Sequence, residues 1–90
     1  MGPDTRVRIS PSVYARPFGA ELVLLEFARG EYFALDEIGA GIWRKLEARA
    51  SLGEIADAVV KEHEVTRAQA FADIVDLVTH MRDHALLLIE

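Results

Sequence analysis

His80 and His84 stand one helical turn apart, with Asp76 one turn before them, a spacing that can place three ligands on one face for a divalent cation. The H-E-x-x-H pattern, whose glutamate serves a metalloprotease as general base, is missing. The pair therefore reads as an exposed helix end, with His84 beside the carbonyl end of the dipole, and His63 closes an earlier helix in the same way. No metal site is expected. There is no cysteine, which removes thiol nucleophiles, thiolate zinc ligands and disulfides together. The serines are Ser10, Ser12 and Ser51, and the last is accounted for as a helix cap. The neighbouring acids Asp36-Glu37 and Glu62/Glu64 read as solvated charges rather than as an acid/base pair. With no glycine-rich phosphate loop either, no catalytic residue and no cofactor is expected: the chain does not read as an enzyme.

Composition narrows the partners. A chain of 90 residues carries one core, so a single domain over 1–90 is expected, with residues 1–11 open to being flexible. Half of the residues are apolar and about a quarter charged, as in ordinary globular domains. Met1 to Pro11 has no apolar core of a signal peptide, and no apolar run approaches the roughly 20 residues of a membrane span. The expected setting is the cytoplasm, without a membrane partner. The formal charge is −5. From Ser51 to His84 the acids Glu54, Asp57, Glu62, Glu64, Asp73, Asp76 and Asp83 face only Lys61, Arg67 and Arg82. Nucleic-acid affinity comes mainly from cations that release counterions, so such a surface disfavours nucleic acid.

The elements that position these residues fall into two groups. Val13 to Arg16, Glu21 to Phe27 and Glu31 to Leu35 read as strands, separated by Pro17/Gly19 and by Ala28-Arg-Gly30, with the last two forming a hairpin. Leu22 and Leu24 share one face of the middle strand while Val23 and Leu25 share the other, so something must cover each face. After Leu35 the apolar period becomes helical. Asp36 caps a first helix with Ile38, Ile42, Trp43 and Leu46 on its apolar face. Ser51 and Glu54 form a capping box for a second, with Leu52, Ile55, Ala56, Val59 and Val60 as its stripe, and Thr66 with Gln69 repeats the device for a third. This third helix, about Arg67 to His84, carries two apolar stripes: Ile74, Leu77, Met81 and then Leu86, and beside them Phe71, Val75 and Val78, widened by Ala70. An arc so broad touches two things. Leu86 to Ile89 follows as an apolar tail. Three strands then three helices make an α+β, winged helix-turn-helix-like order: a three-stranded antiparallel sheet followed by three α-helices.

The stretches Glu21-Leu-Val-Leu-Leu-Glu and Gly30-Glu-Tyr-Phe-Ala-Leu-Asp-Glu-Ile-Gly-Ala-Gly-Ile-Trp43 resemble the PqqD-like family, and Thr66 to Leu87 is similar to that family's third helix. Asp36 stands where the family usually has Asn, and Ala85 where it often has Gly. The resemblance implies a stand-alone recognition element for ribosomally made, post-translationally modified peptides. The precursor's leader would bind in extended form on the third strand, in a groove against the third helix. The free-standing form further implies an adaptor of lasso-peptide biosynthesis, acting beside a leader peptidase and an ATP-dependent cyclase. Pyrroloquinoline quinone biosynthesis, where the analogous protein serves a radical enzyme, is the alternative within the family.

Strand physics points the same way. An edge strand presents unpaired N–H and C=O groups, and Glu31 to Leu35 carries neither the Lys nor the Pro that usually protects an edge. The expected peptide-binding residues are Glu31, Tyr32, Phe33, Ala34 and Leu35 on the strand, and Ala70, Phe71, Ile74, Val75 and Val78 on the helix, with Arg67 and Asp73 at its margins. From a different class, a winged-helix DNA-binding regulator would use the strands as the wing and Thr66 onward as the reading helix. The acidity opposes it.

Overall fold

The computed structural model describes residues 1–90. Its elements in order are β1 (Val7–Ile9), β2 (Val13–Phe18), β3 (Glu21–Glu26), β4 (Glu31–Leu35), α1 (Glu37–Glu47), α2 (Leu52–Glu62), α3 (Arg67–Asp83) and β5 (Leu87–Ile89). β2, β3 and β4 form an antiparallel sheet in that order, so β2 and β4 are both edges. β2 runs on through Pro17 to Phe18, two residues past the expected end; an edge strand has no outer ladder for a proline to break.

The two hairpins follow from their turns. Gly19, at φ +61°, sits at the first central position of a two-residue loop closed by the pair Phe18 and Glu21, where a type II′ turn takes glycine. The β3–β4 connection is held by Glu26. Its side chain turns inward and is about 1% exposed. It accepts hydrogen bonds from the backbone N–H groups of Ala28 and Arg29, each at 2.9 Å, and from the Ser12 hydroxyl at 3.0 Å. A buried carboxylate satisfied in this way fixes the turn that aims β4.

Each helix begins as its capping residues dictate. The Asp36 side chain accepts from the Gly39 N–H at 2.8 Å, one residue after β4 ends. Ser51 and Glu54 complete a reciprocal capping box. Thr66 accepts from the Gln69 N–H, but the Gln69 side chain turns forward to Asp73 instead of back to the cap, so this second box is one-sided. The core joins Leu22 and Leu24 of β3 to Ile42, Trp43 and Leu46 of α1, Leu52, Ile55, Ala56 and Val59 of α2, and Ala70, Ile74, Val78 and Met81 of α3. Ile38 and Val60, expected on buried faces, are exposed instead, because each lies at the rim of its helix's apolar arc.

The C-terminal tail closes a second, two-stranded sheet. β5 pairs antiparallel with β1 in the register Val7 to Ile89, and Val7 and Leu87 are fully buried. So Val7–Ile9, within the segment that the sequence leaves open to flexibility, is a strand. Pairing partners eighty residues apart leave no local signature. Arg49 gathers this region: its guanidinium donates to the Val7 carbonyl at 3.1 Å and pairs with Glu90, while its own carbonyl accepts from Arg6.

α1 and α3 both end in Schellman motifs. In α3 the Leu86 N–H reaches the Met81 carbonyl at 2.9 Å and the Ala85 N–H reaches that of Arg82 at 3.0 Å. The residue between cap and tail must adopt positive φ, and here it is Ala85, at φ +60°. The departure from glycine noted in the sequence thus falls at the one position of this turn where a Cβ is unfavourable. Ala85→Gly is expected to stabilise the fold by about 1 kcal/mol, read as a higher urea midpoint with unchanged slope. Burial pushes the Glu26 carboxyl up, but the hydrogen bonds from Ala28, Ser12 and Arg29 and the Arg29 charge outweigh it and hold the group below its ordinary value. Glu54, through the Ser51 hydrogen bonds, and Glu90, through Arg49, are held low as well. A depressed carboxyl stabilises the fold in full above its unfolded value and loses that contribution as pH falls through its folded value. Stability is therefore expected to drop below about pH 4.5, the ordinary glutamate value. Glu26→Gln should flatten part of that drop in acid titrations of the unfolding midpoint.

Candidate peptide-binding cleft

β4 is an edge, so one row of its backbone N–H and C=O groups has no partner in the protein. Because strand side chains alternate, Phe33 and Leu35 point inward and pack against the core, whereas Tyr32 stands 75% exposed on the outer face. Beyond the edge lies α3, and between them runs a cleft with two adjoining cavities. The larger, about 450 Å³, is bounded by Ala34, Leu35 and Asp36, by Ile38, Gly39 and Ile42 of α1, and by Asp73 and Leu77 of α3. The smaller, about 210 Å³, is bounded by Phe33, Ala34 and Leu35, by Leu24 beneath, and by Leu77, His80, Met81 and Leu86. Ala34, Leu35 and Leu77 border both.

The helix contributes a different face from the one expected. Successive helical residues advance by about 100°, so Asp73, Leu77, His80 and His84 form one flank of α3, and Phe71 and Val75 the opposite flank. Ala70, Ile74 and Val78 lie between and are buried in the core. Phe71 and Val75 are half-buried against that core and border neither cavity. Among the strand residues Phe33, Ala34 and Leu35 meet at the cleft, and Glu31 lies at its end, 3.8 Å from the Arg29 guanidinium and 4.0 Å from His84 Nδ1. Asp73 borders the larger cavity. Arg67 is held elsewhere, its Nε donating to Asp57 of α2 at 2.8 Å.

Leu77, His80, Ile38 and Ile42 are among the lining residues that sequence reasoning did not assign to the site, as are Leu24, Asp36, Gly39, Met81 and Leu86. The signal available was the i, i+4, i+7 progression from Asp73 through Leu77 to His80. His80 is exposed, as the reading of a helix end expects, and borders the smaller cavity, whereas His84 is half-buried beside it: the Phe33 ring meets His84 at 5.0 Å and His80 at 6.5 Å between centroids, both edge-on, and the two imidazoles are 4.5 Å apart. No group of three His, Cys, Asp or Glu side chains is arranged to hold a metal ion.

A strand edge facing an apolar cleft is what peptide capture by strand addition requires. The model of the family described as coenzyme PQQ synthesis protein D (PqqD) matches residues 21–87. The chain belongs to the PqqD family. The matched span begins at β3 and ends at the first residue of β5, so it contains the whole cleft, while β1 and β2 precede it. Two solved structures are similar over nearly their full lengths. One is TbiB1 in complex with the TbiA(beta) leader peptide, 35% identical, with a TM-score of 0.86, covering 89% of this chain and 93% of that one. The other is a lasso peptide synthetase B1 complexed with the leader peptide, 30% identical, TM-score 0.86, covering 92% of this chain and 98% of that one. No curated protein matches the chain.

The stacked rings give a direct check on the cleft. Phe33→Leu removes the ring current felt by both imidazoles, so the proton resonances of His80 and His84 are expected to move together in NMR spectra while those of His63 stay in place.

Proposed function

We propose that this PqqD-family protein is a non-catalytic, cytoplasmic adaptor. It captures the leader of a ribosomally made precursor peptide as a fourth strand on β4, in the cleft against α3, and presents it to a separate leader peptidase and an ATP-dependent cyclase of a lasso-peptide pathway. The observation that carries this reading is the free edge of β4 facing two apolar-floored cavities. Main-chain bonds along the edge would supply affinity for an extended segment, and the cavities would select its alternate side chains. The two similar structures support it, since each holds a leader peptide. The family description favours a second reading, a carrier for the radical enzyme of pyrroloquinoline quinone biosynthesis. It would use the same cleft and differ in which precursor is bound.

The test is fluorescence polarisation or calorimetry with synthetic leaders from neighbouring precursor genes and scrambled controls. Saturable binding of a true leader alone is expected. Phe33→Asp and Leu77→Asp, each confirmed as folded by circular dichroism, place a charge where an apolar side chain would be buried and should weaken binding by tenfold or more. Arg67→Gln, on the α2 side, should bind as the parent does. Retained affinity in both aspartate variants, or no leader binding by the folded parent, would refute the proposal.

A further inference from the structure

We infer that the larger cavity is a subsite for a basic side chain, so that the captured peptide carries Lys or Arg two residues from an apolar anchor seated in the smaller cavity. This rests on the capture of an extended peptide proposed above and adds the chemical class of two of its side chains.

Along an extended chain, side chains on one face recur at every second residue, roughly 6.5 to 7 Å apart. The two cavities adjoin, sharing Ala34, Leu35 and Leu77, so one peptide face can fill both. Their chemistry differs. The smaller is walled by Leu24, Phe33, Met81 and Leu86, with His80 its single titratable neighbour, and suits a neutral apolar group. The larger has an apolar floor of Leu35, Ile38, Ile42 and Leu77 but two carboxylates at its margin, Asp36 from the start of α1 and Asp73 from α3.

Those carboxylates are only half used. Oδ1 of Asp36 accepts from the Gly39 N–H and Oδ1 of Asp73 from the Gln69 amide, each at 2.8 Å, and Oδ2 of each has no hydrogen-bond partner. Neither is within ion-pair distance of a cation, whereas Glu54, Asp57 and Glu62 on α2 are paired with Arg6, Arg67 and Lys45. A lysine or arginine has the shape for this cavity: its methylene stem covers the apolar floor while its head reaches the carboxylates. An acidic side chain would be repelled, and a wholly apolar one would strip water from two charges without replacing it. The net charge of −5 adds a general attraction for a basic segment.

The experiment is a selection of randomised short peptides displayed on their own mRNA, run in parallel on the parent protein and on Asp36→Asn/Asp73→Asn. Asparagine caps helices as well as aspartate does, so the double variant removes charge and keeps the start of α1. The parent is expected to enrich an apolar residue with Lys or Arg two positions away; the variant should enrich the apolar residue alone. For a selected peptide, glutamine in place of the basic residue should weaken binding to the parent about five-fold, as for a favourable rim ion pair. The variant should not distinguish the two peptides. An apolar anchor without basic preference in the parent, or an equal loss in parent and variant, overturns the subsite and leaves peptide capture standing. Failure to enrich any peptide on the folded parent overturns both.

Discussion

Everything at the cleft depends on one unsatisfied row of backbone groups. A strand edge in water keeps its N–H and C=O groups hydrated at little cost, but it pairs with any extended chain that reaches it. Most proteins cover or charge such an edge. Here the chain leaves β4 directly into α1, with Asp36 as the only residue between them, so no loop runs alongside the strand. The Glu26 carboxylate sets the turn before β4 and the Asp36 cap sets the helix after it. Both ends of the strand are therefore fixed by side chains that bond backbone N–H groups, and its middle stays accessible.

The second constraint is the division of labour around α3. One arc of the helix, centred on Ile74 and Val78, is committed to the core. The flank through Leu77 and His80 remains for the cleft, where Leu77 serves both cavities. A helix in this position has little freedom to rotate, because turning Leu77 further into the core would expose buried residues on the other side. Rigid placement of the cleft wall lowers the ordering cost of binding.

Much of this was legible in the sequence, and the parts that were not have physical reasons. The hairpin, the three capping residues Asp36, Ser51 and Thr66 and the order of elements are written in local chemistry, in glycines, cap spacing and a change of apolar period. The edge position of Glu31 to Leu35 followed from its place as the last strand before the helices. The facing of α3 was not legible: Phe71 and Val75 extend its apolar arc on one side and Leu77 on the other, and periodicity alone does not say which flank meets the sheet. Both histidines suggested solvent by residue type, and His80 is exposed, whereas His84 is half-buried because an imidazole edge packs well on a phenyl ring such as Phe33. The pairing of Val7–Ile9 with Leu87–Ile89 depends on segments too short to carry a pattern of their own.

That small terminal sheet has a further meaning. With Val7 opposite Ile89 and the Glu90 N–H bonded to the Arg6 carbonyl at 3.0 Å, the first and last strands of the fold are held side by side. Terminal strands that meet in this way suit circular permutation and domain insertion. Residues 2–5 run on from β1 to the start of α2, where the Thr5 and Pro3 carbonyls accept from the Leu52 and Gly53 N–H groups, so a polypeptide joined at the N-terminus would depart beside that helix, and one joined after residue 90 beside Arg49, which pairs with Glu90 just before it. For this architecture both termini lie toward the start of α2 and the terminal sheet, and linker length is what governs the reach of a fused partner.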